Sequence, residues 1–331
     1  MVSIRNSRLF WLIKNICCLV RCDIYKEIET LKMEIETLKY KQDNFADNDG
    51  RIYLNHLRRK IIGYYMVNPE LQDEYSSEIS YIKKTNDLIF PYKKIKNMDA
   101  PIAAIDSEIN MPYVIHNGKR LYFPSRITLE QAQYLYCYYV ENECILGSGY
   151  REKEPHKYES ESVKVEEGDV LLDIGCAEAL FTLEHIEKIK KAYLVESDPY
   201  WAGALNETFK PYADKVTIVQ KFISDKDTEE SITLETLLKD EVTNNIFIKM
   251  DIEGCEHLVI KSSVKFLAGI KNAKIACCTY HRDNDFNEIS AVLKDNGFSI
   301  EASDGYMIFP FGGELQPPYF RKGVLRAKNN I

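Results

Sequence analysis

The most regular alternation in the chain lies in its second half. Short apolar runs recur near residues 169–174, 191–195, 216–220, 246–250 and 274–278. Stretches with apolar residues at helical spacing separate and follow them, near 179–190, 200–209, 232–239, 256–268 and 286–296. Runs apolar on both faces predict strands covered on both sides, and the intervening helices predict parallel neighbours joined by right-handed crossovers. Residues 298–302, the Asp304-Gly305 turn and residues 306–309 predict a closing antiparallel hairpin. Residues 319–327, just after Pro317-Pro318, are a further strand candidate. The expected fold class is α/β, a mostly parallel Rossmann-like sheet with an antiparallel terminal hairpin.

The first half reads differently. Residues 9–20 are apolar but interrupted by Lys14 and Asn15. They are too few for a spanning helix, which needs about 20 residues. Arg5, Arg8 and Arg21 flank them and no small-residue cleavage site follows, which argues against a signal peptide. Two readings stay open: an amphipathic helix lying on the inner face of a membrane, or a helix packed on the protein itself. Residues 27–33 are then repeated almost unchanged as 34–40, which sets Ile28, Leu31, Ile35 and Leu38 at spacings of three and four. Ile at a and Leu at d favour a parallel two-stranded coil, so residues 24–40 are a candidate homodimer contact. A helix docking that stripe on its own domain is the competing reading. A polar linker over 43–50 closes this extension.

From Ile52 to Asn68 the pattern is helical, and it then becomes rich in Tyr and Lys without a clean period. Asn117-Gly118 between two apolar runs predicts a tight hairpin. Thr128 with Gln131 forms a capping box that opens a tyrosine-rich helix. The expected division is an extension over 1–45, a small accessory segment over 46–150 and a catalytic sheet domain over 151–331.

Composition narrows the function. The chain has 331 residues, 45% apolar and 28% charged, with a formal net charge of -8. That acidity argues against a general nucleic-acid partner, which requires a basic footprint. The nine cysteines form no C-x-x-C pair, and several lie inside apolar runs, as small hydrophobes in a reducing compartment do. The expected location is cytoplasmic, with the membrane-face alternative resting on residues 9–20.

The chemistry centres on residues 169–179. A buried strand ends at Asp173-Ile174-Gly175 and opens through Cys176, Ala177 and Glu178 into a helix. Such turns bind nucleotides at the carboxyl edge of the sheet, and Gly175 lets the backbone bend sharply and a ligand approach. A dinucleotide site requires G-x-G-x-x-G; here the run is G-x-x-x-A, with Glu178 where the pyrophosphate would lie. A carboxylate there repels a diphosphate and suits a ligand bearing an ammonium and a sulfonium. S-adenosylmethionine (SAM) fits that description better than NAD. Glu196, with Ser197 beside it, follows the next strand 21 residues after Gly175, where ribose hydroxyls are held. A second buried strand, Ile246 to Met250, ends in the acids Asp251, Glu253 and Glu256.

Asp173-Ile174-Gly175, Val195-Glu196, the run 233–238, Ile248 through Glu256 and Tyr280-His281 together resemble the FkbM family of SAM-dependent methyltransferases over about residues 150–310. Ala179 and Ser262 stand where that family usually has Gly. The resemblance implies the class I methyltransferase fold, SAM as cofactor, and methyl transfer to an oxygen of a sugar or other polymer precursor. Asp173, Gly175, Cys176 and Glu178 are expected at the methionine portion of SAM, Glu196 and Ser197 at its ribose, and Ser224 and Asp225 at its adenine. His156 and Tyr158, just before the first core strand, are candidates at the entrance to the cofactor turn. His281, at the end of the fifth strand, is the expected general base, with Asp251 as its partner or as the ligand of the acceptor hydroxyl, and Glu253 beside them. The acids with a histidine could also hold Mg²⁺ or Mn²⁺, but Glu256 equally suits a helix start, and no metal ligand is assigned. Two other functions use the same features: an NAD(P)-dependent oxidoreductase, and a SAM-binding scaffold without catalysis.

Overall fold

The computed structural model describes residues 52–241, 244–311 and 315–329. The apolar segment 9–20, the repeated heptads and the polar linker lie outside the described residues. The chain divides into two compact units, one of residues 1–91 with 308–320, the other of residues 92–307 with 321–331. Of the expected accessory segment, residues 52–91 thus fall in the first unit and 92–150 in the second.

In the first unit, helix α1 (52–67) is followed by α2 (Ser76–Lys84). Its core is aromatic. Tyr65 is fully buried, its hydroxyl donates to the Pro318 carbonyl at 2.5 Å, and Tyr75 stacks on Phe320 with ring centroids 5.0 Å apart. Tyr75, in the stretch without a clean period, thus takes its stacking partner from far along the chain.

The second unit contains a three-stranded sheet, β1 (Ala103–Asp106), β2 (Met111–His116) and β3 (Lys119–Tyr122), in that order. Asn117 and Gly118 both have positive φ, 48° and 80°, as the tight turn between β2 and β3 requires. Helix α3 (Leu129–Cys137) starts at the expected capping box, with Thr128 and Gln131 bonding reciprocally. One turn of π-helix over Tyr138–Asn142 extends it.

The main sheet follows. Its strands are β4 (Val170–Ile174), β5 (Lys191–Val195), β6 (Val216–Val219), β9 (Asn245–Met250), β10 (Asn272–Cys278), β11 (Phe298–Ala302) and β12 (Val324–Asn329), and a short pair, β7 (Phe222–Ile223) with β8 (Ser231–Ile232), stands apart. The order is β11-β12-β10-β9-β4-β5-β6, parallel except for β12. Helices α4 (Leu180–His185), α5 (Ala202–Phe209), α6 (Leu234–Leu238), α7 (Glu256–Ala268) and α8 (Asp285–Asp295) make the connections. This is the class I methyltransferase arrangement expected from the strand pattern.

The terminal hairpin differs from the expectation in one strand. Residues 306–309 form only an isolated bridge, Met307 to Arg321, and the partner of β11 is β12. The segment after Pro317-Pro318 supplies that strand because β10 is apolar on both faces and needs a covered neighbour. Val324, Leu325 and Ala327 of β12 are fully buried beside it. Every residue of β4 is buried, and its central position makes the carboxyl ends of β4 and β9 the point where strand order reverses. Among the described residues no helix is long and apolar enough to cross a membrane.

Candidate functional site

At the switch point the chain is forced close to itself. Asp251 N donates to the Ile174 carbonyl at 3.0 Å, which draws the end of β9 against the turn after β4. Gly175 has φ +69°, and a Cβ there would lie 1.9 Å from the Asp251 carbonyl oxygen. Gly175 is therefore required both by its dihedral and by the backbone opposite. Ala177 (φ 45°) and Ala179 (φ 60°) continue the turn in the left-handed region, a conformation that costs a residue with a Cβ about 1–2 kcal/mol. The position of Ala179 is thus one where the glycine usual in the family would be unstrained.

Asp173 and Lys249 lie directly opposite each other in β4 and β9. Lys249 Nζ stands 3.1 Å from Asp173 Oδ1 and donates to the Gly175 carbonyl at 2.6 Å, while Thr182 Oγ1 donates to Asp173 Oδ2 at 2.8 Å. Asp173 is 1% exposed, so it supports the turn from beneath. Burial would lower the Lys249 pKa, but Asp173 and Asp251 raise it above the usual lysine value. The lysine is a fixed cation, already committed to the aspartate and the turn.

Two further carboxylates flank the turn. Glu178 is 5% exposed, and burial raises its pKa to about 8; among the described residues no cation pairs with it. Glu196, after β5, accepts from Ala177 N at 3.0 Å and from Asp198 N at 2.8 Å, so it braces the same loop. Burial raises its pKa as well, against the pull of those two amides. Cys176 is buried beside them and its thiol is pushed well up by burial.

Asp251 is the hub on the other side of the switch point. Tyr158 Oη donates to its Oδ2 at 3.2 Å and Tyr280 Oη to its Oδ1 at 3.1 Å. His156 Nε2 lies 3.5 Å from Oδ2, and His281 Nε2 lies 3.4 Å from Oδ1. Burial alone would raise the Asp251 pKa, but His156, His281 and Lys249 hold it well below the usual carboxylate range. Both imidazoles are backed by a second carboxylate, His156 Nδ1 by Glu143 at 3.0 Å and His281 Nδ1 by Glu256 at 2.9 Å. For His281 burial lowers the pKa, and Glu256 and Asp251 outweigh it and raise it. For His156 burial is likewise outweighed, by Cys278, Asp251 and Glu143.

The loop after β9 is shaped by Glu256, which is fully buried. Its two oxygens accept from Ile252 N at 2.9 Å and Gly254 N at 2.8 Å. Those bonds hold Glu253 and Gly254 at φ +62° and +101°. The acid-rich sequence is thus a self-capped turn that presents Asp251, the member of the cluster whose side chain keeps 19% exposure.

The structure brings together His156, Tyr158, Asp251 and His281, and sets the Gly175 turn against Asp251. Glu253 is exposed on its turn, Ser197 is half-buried after Glu196, and Ser224 bonds the exposed Asp225 at 3.2 Å beyond β7. His281, the expected base, has a carboxylate near each ring nitrogen, Asp251 on one side and Glu256 on the other. Lys249, Thr182, Glu143, Cys278 and Tyr280 join the site without having been assigned a role. A lysine inside an otherwise apolar strand was a readable signal for the first of them, and Tyr280 stood beside His281 in the family resemblance; Thr182, Glu143 and Cys278 carried none.

The model of the methyltransferase FkbM domain matches residues 127–300, just over half of the chain. The chain belongs to the FkbM methyltransferase family. Among solved structures, an FkbM methyltransferase from Methylobacillus flagellatus KT is similar at 20% identity, with a TM-score of 0.37, over 50% of this chain and 44% of that one. M. jannaschii TYW2, solved in complex with AdoMet, is 14% identical over 67% of this chain and 87% of that one, TM-score 0.39. A precorrin-6y C5,15-methyltransferase from Geobacter metallireducens GS-15 is 18% identical over 50% and 81%, TM-score 0.34. No curated protein matches.

Proposed function

We propose that this FkbM-family protein transfers the methyl group of SAM to a hydroxyl oxygen of a sugar or other polymer precursor. The observation that carries the reading is the charge of the switch-point crevice. Glu178 stands on the turn after β4, Glu196 braces that turn from the end of β5, and Lys249 is committed to Asp173 and the Gly175 carbonyl. Such a crevice favours a cationic nucleoside and disfavours a pyrophosphate.

In this reading the turn and Glu178 receive the methionine portion, Glu196 the ribose, and Asp251 the acceptor hydroxyl. The reaction is an in-line displacement: the hydroxyl oxygen bonds the methyl carbon, the carbon–sulfur bond breaks, and the sulfur keeps the electron pair. The protonated ether formed is a strong acid, so an ionised Asp251 suffices to take its proton even with a low pKa. His281 and His156 hold that carboxylate in place and ionised. Calorimetry with SAM, then transfer of labelled methyl from SAM to a panel of glycan precursors, tests the proposal. Tight binding of NADH with no binding of SAM would sink it.

A further inference from the structure

His156 Nε2 sits in an unusual shell. It lies 3.5 Å from Cys278 Sγ, 3.5 Å from Asp251 Oδ2, 3.3 Å from Tyr158 Oη and 3.5 Å from Tyr280 Oη. The two phenol oxygens lie 3.2 and 3.3 Å from the same Asp251 Oδ2. One ring nitrogen carries at most one proton and can serve one of four neighbours. The five separations between nitrogen and oxygen atoms or between oxygens are also longer than well-formed hydrogen bonds, which cluster at about 2.7–3.0 Å. They match something else. With zinc bonds of about 2.0–2.3 Å to N, O and S, tetrahedral angles put neighbouring ligand atoms roughly 3.3–3.6 Å apart.

We infer that His156 Nε2, Cys278 Sγ and Asp251 Oδ2 form a zinc site, with a phenol oxygen of Tyr158 or Tyr280 at the fourth corner. The three ligand atoms lie within 4.8 Å of one another. Mixed nitrogen, sulfur and oxygen donors suit Zn²⁺ and disfavour Mg²⁺ or Ca²⁺, which prefer oxygen alone. The outer shell is also that of a metal site. Glu143 Oε2 lies 3.0 Å from His156 Nδ1, the carboxylate backing that fixes a ligating imidazole with its other nitrogen toward the ion. Charge balances too: neutral imidazole, thiolate and carboxylate around Zn²⁺ leave no net charge, and Lys249 close by is already neutralised by Asp173. Binding displaces two protons to solvent, one from the Cys278 thiol as the sulfur–zinc bond forms and one from Nε2 of the His156 ring as the nitrogen–zinc bond forms, with no change of oxidation state.

The test uses the full chain, stripped with a mild chelator and titrated with ZnCl₂ and separately with CoCl₂. One equivalent of Zn²⁺ should bind, and Co²⁺ should show the visible band of a tetrahedral ion with a thiolate charge-transfer band. Cys278→Ser should remove the charge-transfer band and weaken zinc at least about a hundredfold. Cys277→Ser, on the opposite face of β10 in the main core, should leave both unchanged. Thermal melting of the metal-free variants establishes that each is folded, and His156→Asn replaces Cys278→Ser if the latter is not. Zinc binding that persists in these variants, through the cysteines at 17, 18 and 22, overturns the site, as does failure of the native chain to bind either ion. Loss of SAM binding would leave this result untouched, since the readout is the metal itself.

Discussion

Lys249→Met removes one half of the ion pair that joins β4 to β9 beneath the turn. The pair is 3.1 Å apart, with side-chain exposures of 7% and 1%, so solvent screening offers little discount. Coulomb's law at an effective dielectric of 20 gives about 5 kcal/mol at that separation. Breaking a buried pair from one side typically costs about 3–5 kcal/mol, because the remaining charge is stranded. Thr182 still donates to Asp173, and the Gly175 carbonyl loses its donor, effects that pull in opposite directions. The expected loss is therefore about 3–5 kcal/mol, seen by calorimetry as a fall of roughly 6–20 °C in the melting of the unit that contains the sheet. Asp173→Asn should cost a similar amount. The double variant should be more stable than the sum of the two by about 1–3 kcal/mol. A single-variant loss below about 1 kcal/mol, or strict additivity, would refute the claim that this pair supports the turn.

The remaining predictions concern the crevice. Glu178 has a folded pKa raised to about 8, so its contribution to stability is full below the unfolded value and is lost as pH rises toward 8. Glu178→Gln should accordingly raise the melting temperature of the ligand-free protein at pH 8, with little effect at pH 4, and an equal shift at both would contradict the assignment. His281, with a raised folded pKa, stabilises the protein fully below about pH 6.5, an effect lost as pH climbs through the folded value. The stability gap between wild type and His281→Asn should therefore narrow in alkaline buffer, which urea titrations at several pH values will show. Glu196→Ala should weaken SAM by about ten- to a hundredfold in calorimetry, since it removes a charged acceptor. Asp251→Asn should reduce turnover about 10²–10⁴-fold while SAM affinity stays nearly constant. Retention of full turnover by Asp251→Asn would return the base to another group.

Much of the fold was legible because its causes are local. Strands β4, β9 and β10 are buried on both faces and so read as apolar runs, and the Asn117-Gly118 turn and the Thr128 capping box are decided by residues a few positions apart. The turn after β4 was legible for the same reason: Gly175, Glu178 and Glu196 lie at separations set by one strand, one helix and the next strand. What the sequence could not decide depends on chain segments far apart. The sequence pattern put residues 306–309 opposite β11 and left 319–327 as a further strand, and packing against β10 selects residues 324–329 as the partner. The surroundings of His281 were not legible either, because Glu256 and Asp251 approach it from another strand end. Asp251, likewise, is one acid among several in its local run. The self-capping by Glu256 aims it at the crevice, and residues from positions 156, 158, 280 and 281 converge on it there. Periodicity and turn chemistry are properties of neighbours along the chain, so the sequence by itself determined the strands of the sheet and the sharp turn after β4. Proton affinities and ligand geometry are properties of neighbours in space, and these the tertiary structure alone decided.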